Sequence, residues 1–484
     1  MTSLKNFRWI ENKKLFLILF VVIFVLKFPI MNTPHHWDSI SRDLPISMWI
    51  KNNNLNPFPR IENYNGHPVL FYEILALSFL FFGESLLVSH LVVLIFSFLS
   101  VYFTYLLGEY LYGQKVGIIA ALLLLFSPLF FAQSGIVQIE IVFTALSIIT
   151  IYFAIKSELV WYIISGNLLV LTKEPAILII ISILIYKFMK NSKKLLIYSI
   201  PLFIFALWMI TNKFVFGWFL YPQSVSYFNF STSLLLTFFE RFKEIFVWDY
   251  KWILTLIISI SILKFYVSGK KIKIKSLLKT ENFVFLLIVL FINILNSLIG
   301  KFFLIRYILV LYPIFFIAGS NALNYVLKKN TIIIFVTLFL IGLFINRWEG
   351  NRTNSCGCEL ESNLEYLDLI ETHKNSTLYI ETNFPNSTVL TTWPQSRELT
   401  LPFLGYIKSP VYVKTVSEEL ITCTRISYFN GSLNGVNLIC YSPQAHQPEK
   451  LLEIIKNLNL TLIKRFEKNG KYTEIYALNG LLLI

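Results

Sequence analysis

The stretch that decides the fold is "LFLILFVVIFVLKFPIMNTPHHWDSISRD", from Leu15 to Asp43. Its first half is an apolar run of the kind that anchors a chain in a membrane, and basic residues precede it. Its second half has two histidines, a tryptophan and two aspartates where such a helix would leave the membrane, and charge is costly there. No small-residue cleavage site follows Ile30, so we interpret the run as an uncleaved anchor with its N-terminus inside.

The composition of the whole chain agrees with this interpretation. Of its 484 residues 56% are hydrophobic and only 14% are charged, whereas an average soluble domain has about 25% charged residues. The net charge of +14 comes from lysines in short clusters between apolar runs, which is typical of cytoplasmic loops. We therefore predict an α-helical polytopic membrane protein and no nucleic-acid partner.

Hydropathy predicts about eleven membrane spans and a C-terminus outside the cell. Lysine clusters such as those within 187–194 and 270–279 then lie inside, as the positive-inside rule requires. The apolar segment from His67 to Gly83 has to be left out of the count, so we expect it to lie along the outer face; a true span is the alternative. The predicted spans are 15–30, 86–107, 116–132, 140–155, 159–171, 175–188, 195–212, 251–266, 283–299, 307–325 and 331–346.

The change to a polar composition near 347–352 predicts two domains, 1–346 in the membrane and 347–484 outside it. The tail carries N-x-S/T sequons at Asn351, Asn375, Asn386, Asn430 and Asn459, with another at Asn229 in a loop also predicted outside, which indicates a glycoprotein.

All the cysteines lie in the same tail, where we expect disulfides that join Cys356 and Cys358 to Cys423 and Cys440. A metal site is the alternative, although Cys-x-Cys is not a usual zinc spacing.

Short β-type segments and one amphipathic helix predict that the tail is an α/β domain, which we interpret as an accessory or acceptor-binding module. The predicted helix is opened by Pro448 and has Leu451, Ile454, Ile455 and Leu458 on one face. The predicted strands are "TLYIET", "STVLTT", "PVYVKTV", "RISYF", "NLICYS" and "YTEIYAL".

Polar residues gather near the predicted outer face from segments that are far apart in sequence, as expected of a site for a polar or anionic substrate. For Arg60, Glu62, Asp43 and Lys301 we favour snorkelling or helix capping, and capping of the helix suggested by "SISRDL" is the alternative for Asp38. The set comprises His35, His36, Asp38, Arg42, Asp43, Arg60, Glu62, His67, Glu73, Glu140, Lys173, Glu174, Lys301 and Arg306.

Several of these residues lie in motifs that come in a familiar order. An acidic residue after the first span is followed by "GHPVLFYEILAL" (66–77), "QSGIVQIEIVFTAL" (133–146), "LTKEP" (171–175) and "IRYILVLYP" (305–313). Over residues 15–325 this order resembles the GT-C glycosyltransferases, particularly the protein O-mannosyltransferases and lipid A aminoarabinose transferases. The resemblance implies transfer of a sugar from a polyprenyl (dolichyl) phosphate to a lipid, glycan or protein acceptor outside the membrane.

By that resemblance Asp38 and Glu140 are catalytic. His67, Lys173, Arg306 and Tyr307 are substrate-binding, with the two cations facing the donor phosphate. Asp38-Ser39 stands where the family often has Asp-Glu, and Val69 replaces the second proline of a His-Pro-Pro-Leu-like stretch.

The chemistry needs one base for the acceptor hydroxyl and cations for the departing phosphate, and a single base predicts inversion at the anomeric carbon. Glu140 orients the acceptor, or holds a divalent metal with Asp38 or His35; the sequence leaves both open.

Other function classes fit less well. "VWDYK" (247–251) is similar to the Trp-Trp-Asp-Tyr-Gly signature of oligosaccharyltransferases but departs from it at both ends. A multi-pass transporter or flippase of a polyprenyl-linked or anionic substrate is the main alternative. It predicts polar residues near the bilayer midplane and paired repeats, and the sequence has neither. A purely structural glycoprotein would not need the charged residues to converge.

Overall fold

The computed structural model describes residues 13–61, 64, 66–226, 228, 234–268, 280–299, 303–350, 359–417 and 425–478. Through residue 345 the described chain is a bundle of helices. The helices are α1 Lys13–Lys27, α2 Leu44–Asn52, α3 Leu70–Phe82, α4 Leu86–Tyr112, α5 Gln114–Phe126, α6 Pro128–Gln133, α7 Ile139–Lys156, α8 Leu159–Val170, α9 Ala176–Met189, α10 Leu195–Tyr198, α11 Ile200–Phe216, α12 Pro222–Ser226, α13 Leu234–Phe246, α14 Lys251–Val267, α15 Glu281–Leu298, α16 Tyr312–Leu327 and α17 Asn330–Ile345.

Small residues allow the long helices to pack closely. Ser85 caps α4 by accepting a hydrogen bond from the Val88 amide at 3.3 Å. Where α4 meets α5, a Cβ added at Gly117 would lie 2.5 Å from the Tyr105 carbonyl oxygen, so only glycine fits there. Helix α7 is buried along almost its whole length and therefore forms the centre of the bundle.

The apolar helices differ in length. Four are long and apolar enough to cross a membrane, and a pair bent by 95°, Leu235–Phe246 with Lys251–Val267, would make a fifth among the described residues. Six further apolar helices have 10–17 residues, and α3, which we expected on the outer face, is one of them. The count of eleven spans, the sidedness of the loops and the surface position of α3 stay predictions. The lysine cluster 270–279 lies outside the described residues.

The C-terminal region, residues 359–478, contains a six-stranded sheet in the order β3-β2-β1-β4-β6-β5. Strands β1 to β4 are parallel, whereas β6 is antiparallel to both β4 and β5. The strands are β1 Thr388–Thr391, β2 Tyr412–Thr415, β3 Ile426–Tyr428, β4 Leu438–Tyr441, β5 Leu460–Lys468 and β6 Lys471–Leu478, and the helices are α18 Glu365–Asn383, α19 Gln395–Glu398 and α20 Pro448–Lys456.

This sheet confirms most of the predicted elements of the tail, with two differences. "TLYIET" is not a strand: it is the last part of α18, in which Thr377 and Ile380 are buried. Strand β5, which the sequence analysis missed, pairs with β6 over nearly its full length. The helix opened by Pro448 is confirmed.

The predicted disulfides receive no support from Cys440, which is a free thiol. It is buried in β4, and burial raises its pKa to about 12. Cys356, Cys358 and Cys423 lie outside the described residues, so the predicted disulfides stay a prediction.

The sequons at Asn229 and Asn351 also lie outside the described residues. The other sequon asparagines, Asn375, Asn386, Asn430 and Asn459, are exposed. Glycosylation at these positions stays a prediction.

The helical bundle and the C-terminal region share one hydrophobic core. Leu360, Tyr366, Leu404 and Tyr406 of the C-terminal region pack in the same cluster as the membrane helices, whereas two smaller clusters contain the residues of the sheet. This continuous contact places part of the C-terminal region directly against the helical bundle. The domain boundary at 346/347 stays a prediction.

Candidate active site

The loop after α1 presents Asp38 through an unusual backbone. Trp37 has a φ of +46°, a left-handed conformation that costs a non-glycine residue on the order of 1–3 kcal/mol and persists only where the surrounding structure holds it. Asp38 then opens a π-helical turn, Ser39–Asp43, without capping it through its side chain. Its carboxylate turns towards Arg306 instead, so the capping alternative for Asp38 is wrong.

Arg306 is the centre of the site. It lies on the 3₁₀ turn Ile305–Leu311, and its side chain is only 2% exposed. Its Nη2 donates to Asp38, its Nη1 donates to Glu361, and its Nε lies 3.3 Å from Oε1 of Glu140. One guanidinium therefore joins three carboxylates that come from different parts of the chain.

Glu140 lies in the first turn of α7, where the helix dipole favours a carboxylate. Lys173 donates to its Oε1 at 3.0 Å and lies over the ring of Tyr307, 4.4 Å from the ring centroid. The other oxygen of Glu140, Oε2, is buried and has no hydrogen-bond partner among the described residues. A buried carboxylate oxygen without a donor is a place for a substrate hydroxyl.

Arg42 and Asp43 extend the cluster along the first loop. Arg42 lies 3.4 Å from Asp38 and 2.8 Å from Asp43. The Asp43 side chain is fully buried, and burial outweighs Arg42 and raises the pKa of Asp43 to about 6. The snorkelling or capping role that we favoured for Asp43 is therefore wrong, because its carboxylate points into the protein.

Among the carboxylates that contact Arg306, Asp38 is the most accessible, with 20% of its side chain exposed against 3% for Glu140 and 1% for Glu361. Burial disfavours its charged form, but Arg306 and Arg42 outweigh burial and lower the pKa of Asp38 below its usual value. For Glu361 burial outweighs Arg306 and raises the pKa to about 7. Asp38 is thus the carboxylate that is both ionised at neutral pH and reachable.

His67 forms a separate pair beside the cluster. Its Nδ1 lies 2.8 Å from Glu174, the residue next to Lys173, and its carbonyl accepts from the Tyr64 hydroxyl at 2.9 Å. His67 therefore lies beside the cluster, because its partner Glu174 is the neighbour of Lys173 in the chain. It is not one of the residues that contact Arg306.

An open cavity of about 290 Å³ adjoins this pair through Tyr64, and Arg60 lies on its wall. Gly66 lies against Trp218 and Tyr221 so closely that an added Cβ would come within 2.8 Å of both. Arg60, for which we favoured snorkelling, borders a concave surface. The cavity is lined by Pro59, Arg60, Ile61, Tyr64, Val215, Phe216, Trp218 and Tyr221.

The residues around Arg306 do not fit a divalent metal. The Arg306 guanidinium lies among Asp38, Glu140 and Glu361, and a cation already occupies that position. His35 instead faces Ser89 at 3.4 Å and stacks on His90. Within the described residues no group of three His, Cys, Asp or Glu side chains has metal-ligand geometry. We derive no step through a metal.

The sequence analysis missed Glu361 altogether. It lies on the short turn Leu360–Ser362 at the start of the C-terminal region, and no motif singled it out among the polar residues of the tail. Glu62 and Lys301 lie outside the described residues.

A family model described as dolichyl-phosphate-mannose-protein mannosyltransferase matches residues 66–218, which include His67, Glu140 and Lys173. No curated protein matches the sequence.

Solved structures match over almost the whole chain. ArnT from Cupriavidus metallidurans bound to undecaprenyl phosphate is 13% identical, with 96% of this chain and 98% of that chain covered and a TM-score of 0.61. The chain has the GT-C glycosyltransferase fold. The apo state of the same ArnT gives a TM-score of 0.60, again at 13% identity and with coverage of 96% and 98%.

The GT-C fold is also seen in the Archaeoglobus fulgidus oligosaccharyltransferase tethered with an acceptor peptide. That protein is 12% identical, and the match covers 96% of this chain and 74% of that chain with a TM-score of 0.53. At these identities the structural matches establish the fold, whereas the chemistry has to be argued from the side chains.

Proposed function

We propose that the protein transfers a sugar from a polyprenyl-phosphate donor to an acceptor hydroxyl at the extracytoplasmic face of the membrane. The observation that carries this proposal is Asp38, a partly exposed carboxylate that Arg306 and Arg42 hold in the loop after α1. The fold matches and the family model support the same class of reaction.

In the proposed step Asp38 accepts the proton of the acceptor hydroxyl as its oxygen attacks the anomeric carbon. The bond from that carbon to the phosphate oxygen breaks, and its electron pair leaves with the polyprenyl phosphate. The single displacement inverts the anomeric carbon. No further reactant is needed, because the lipid phosphate is already a good leaving group.

Arg306 and Lys173 are suited to counter the charge that grows on the leaving phosphate. The contacts with the three carboxylates use only three of the five guanidinium N–H groups, and Lys173 donates to Glu140 while keeping further N–H groups. Both cations thus retain capacity for phosphate oxygens while their carboxylate partners fix them in place.

We propose that Glu140 orients the acceptor rather than acting as a second base. Its unpartnered Oε2 is available to accept from a hydroxyl of the substrate, whereas its Oε1 is engaged by Lys173. The open cavity beside Tyr64 and Trp218 offers aromatic surface for a sugar or an isoprenoid chain. A mannosyl donor is the first to test, because the matching family model is named for dolichyl-phosphate mannose.

The test is transfer of label from polyprenyl-phosphate mannose, and then from other polyprenyl-phosphate sugars, to lipid, glycan and protein fractions by the purified protein. Asp38→Asn keeps the shape and removes the base, so the rate should fall by about 10²- to 10⁴-fold. Glu84→Gln is the matched control, since Glu84 is an outer-loop carboxylate that pairs with Lys51 at the surface. Transfer by Asp38→Asn at a rate near wild type would overturn the assignment of the base.

A further inference from the structure

Glu361 is the member of the Arg306 cluster that the proposed chemistry does not use. It accepts from Arg306 Nη1 and is 1% exposed, although it belongs to the C-terminal region and lies 55 residues from Arg306 in sequence. A buried carboxylate is costly unless a specific contact requires it. Its position therefore calls for a role at Arg306.

Gln133, the last residue of α6, and Gln138, the residue before α7, hold Glu361 in place. Gln138 donates to its Oε1 at 2.7 Å, and Gln133 donates to its backbone carbonyl at 3.1 Å. Both glutamines are buried. The two glutamines thus hold oxygens of Glu361 other than the one that Arg306 contacts, so residues of the bundle fix the direction of the carboxylate.

The same C-terminal region also fixes the loop that carries Asp38. The Tyr406 hydroxyl donates to the His35 carbonyl at 2.9 Å, and the His35 amide donates to the Leu404 carbonyl at 3.1 Å. The rings of Trp37 and Trp393 meet edge to face at 4.4 Å. The C-terminal region therefore contacts both the loop that carries the base and the guanidinium that holds it.

We propose that Glu361 is a positioning residue that holds the Arg306 guanidinium between Asp38 and Glu140 and limits how much of its positive charge reaches the donor phosphate. This inference rests on the proposed function and gives the C-terminal region a direct part in the reaction. Removing the negative charge of Glu361 leaves Arg306 more strongly attracted to the remaining anions, which are Asp38, Glu140 and the bound phosphate.

The substitution Glu361→Gln isolates this charge. The new amide has nearly the shape of the carboxylate and still offers an oxygen to Arg306. Its NH₂ group can donate to Gln138, whose buried Oε1 has no partner among the described residues and turns towards residue 361 if the Gln138 amide flips. We therefore expect the variant to fold. The matched control is Glu365→Gln, a buried glutamate four residues later that pairs with Lys471 at 2.8 Å instead of with the site.

Two measurements test the inference. At a pH above 7, where Glu361 is ionised because its pKa is about 7, the affinity of the detergent-solubilised protein for undecaprenyl phosphate should rise about tenfold in Glu361→Gln, as expected for the loss of one nearby like charge. At about pH 5, where Glu361 is already protonated because its pKa is about 7, the affinities of wild type and Glu361→Gln should be equal, so the pH profile of the affinity identifies the Glu361 charge as the cause. Glu365→Gln should change neither.

The outcomes separate the two proposals. A wild-type protein that neither binds undecaprenyl phosphate nor transfers a polyprenyl-linked sugar overturns the proposed function, and this inference with it. A wild-type protein that binds or transfers, combined with a Glu361→Gln variant that matches wild type or Glu365→Gln in both measurements, overturns the inference alone. A merely structural role would change the thermal stability of Glu361→Gln without changing affinity or the pH profile.

Discussion

Arg306→Gln removes the cation that three buried carboxylates share, and the structure indicates which of them suffers most. Asp38 keeps Arg42 at 3.4 Å, and Glu140 keeps Lys173 at 3.0 Å. Glu361 has no second cation in the described part of the chain and keeps only the amide of Gln138. The main cost is therefore one unpaired buried carboxylate.

Removing one partner of a buried ion pair typically costs about 3–5 kcal/mol of folding free energy. We expect Arg306→Gln to lose this amount at a pH above 7 and less at pH 5, where Glu361 is protonated since its pKa is about 7. Adding Glu361→Gln removes the orphaned charge, so the double variant should recover on the order of 2 kcal/mol, a coupling energy usual for residues in contact.

The assay is unfolding of the detergent-solubilised protein at two pH values for wild type, both single variants and the double variant. Glu365→Gln combined with Arg306→Gln is the control, because Glu365 pairs with Lys471 and should give no recovery. If the effects of Arg306→Gln and Glu361→Gln simply add, the contact between these side chains does not exist in the folded protein and the description of the site is wrong.

Two further predictions concern stability. Burial raises the pKa of Glu361 from an ordinary value of 4.5 to about 7, so its contribution to the unfolding free energy is fully present below pH 4.5 and is lost as the pH rises to 7. The unfolding free energy of wild type should fall by up to about 3 kcal/mol across this window. The melting temperature of Glu361→Gln should depend less on pH. His373 lies between Glu398 at 2.9 Å and Ser442 at 3.0 Å in the geometry of a hydrolytic triad, but all three are buried; Ser442→Ala should lower the unfolding free energy by about 1–3 kcal/mol and leave sugar transfer unchanged, and loss of transfer at wild-type stability would contradict a structural role.

The sequence could identify Asp38, Glu140, Lys173 and Arg306 because each lies at an end of an apolar segment. A charge in such a place is conspicuous, because the free energy of its desolvation must be compensated. The order of the motifs then indicated which of these charges belong to one site. The structure brings all four into contact. Their catalytic and binding roles stay predictions.

Glu361 could not be found in the same way. It follows the predicted boundary in a polar tail, where a carboxylate has no evident cost, and its burial results from a contact with Arg306 across more than fifty residues. Asp43 was misjudged for a related reason: capping and snorkelling are local interpretations, whereas its burial depends on how the whole loop packs.

The secondary structure of the tail was predictable where alternation and turn residues agreed. "TLYIET" has the β-branched and aromatic residues of a strand, but it continues α18, whose buried Ile380 packs with residues of the sheet. Tertiary packing outweighed local propensity there. Strand β5 was missed because none of its residues is fully buried. An edge strand with so little burial has only a weak alternation of apolar and polar residues in its sequence.

The charge balance of the site explains why its accessible base and its buried carboxylates behave differently. If every group were ionised, the cluster would carry one more negative charge than positive charges, and an anionic donor would be repelled. Burial raises the pKa of Glu361 to about 7 and that of Asp43 to about 6. Near neutrality these two carboxylates can therefore take up the proton that cancels the excess negative charge, while Asp38 stays ionised. The groups are Asp38, Asp43, Glu140 and Glu361 against Arg42, Lys173 and Arg306. Attack on a lipid-linked phosphate sugar requires a base that is still charged while the neighbouring carboxylates are protonated. When Asp38 then accepts the proton of the acceptor hydroxyl, it becomes neutral, and the cations that it held are free to meet the departing phosphate.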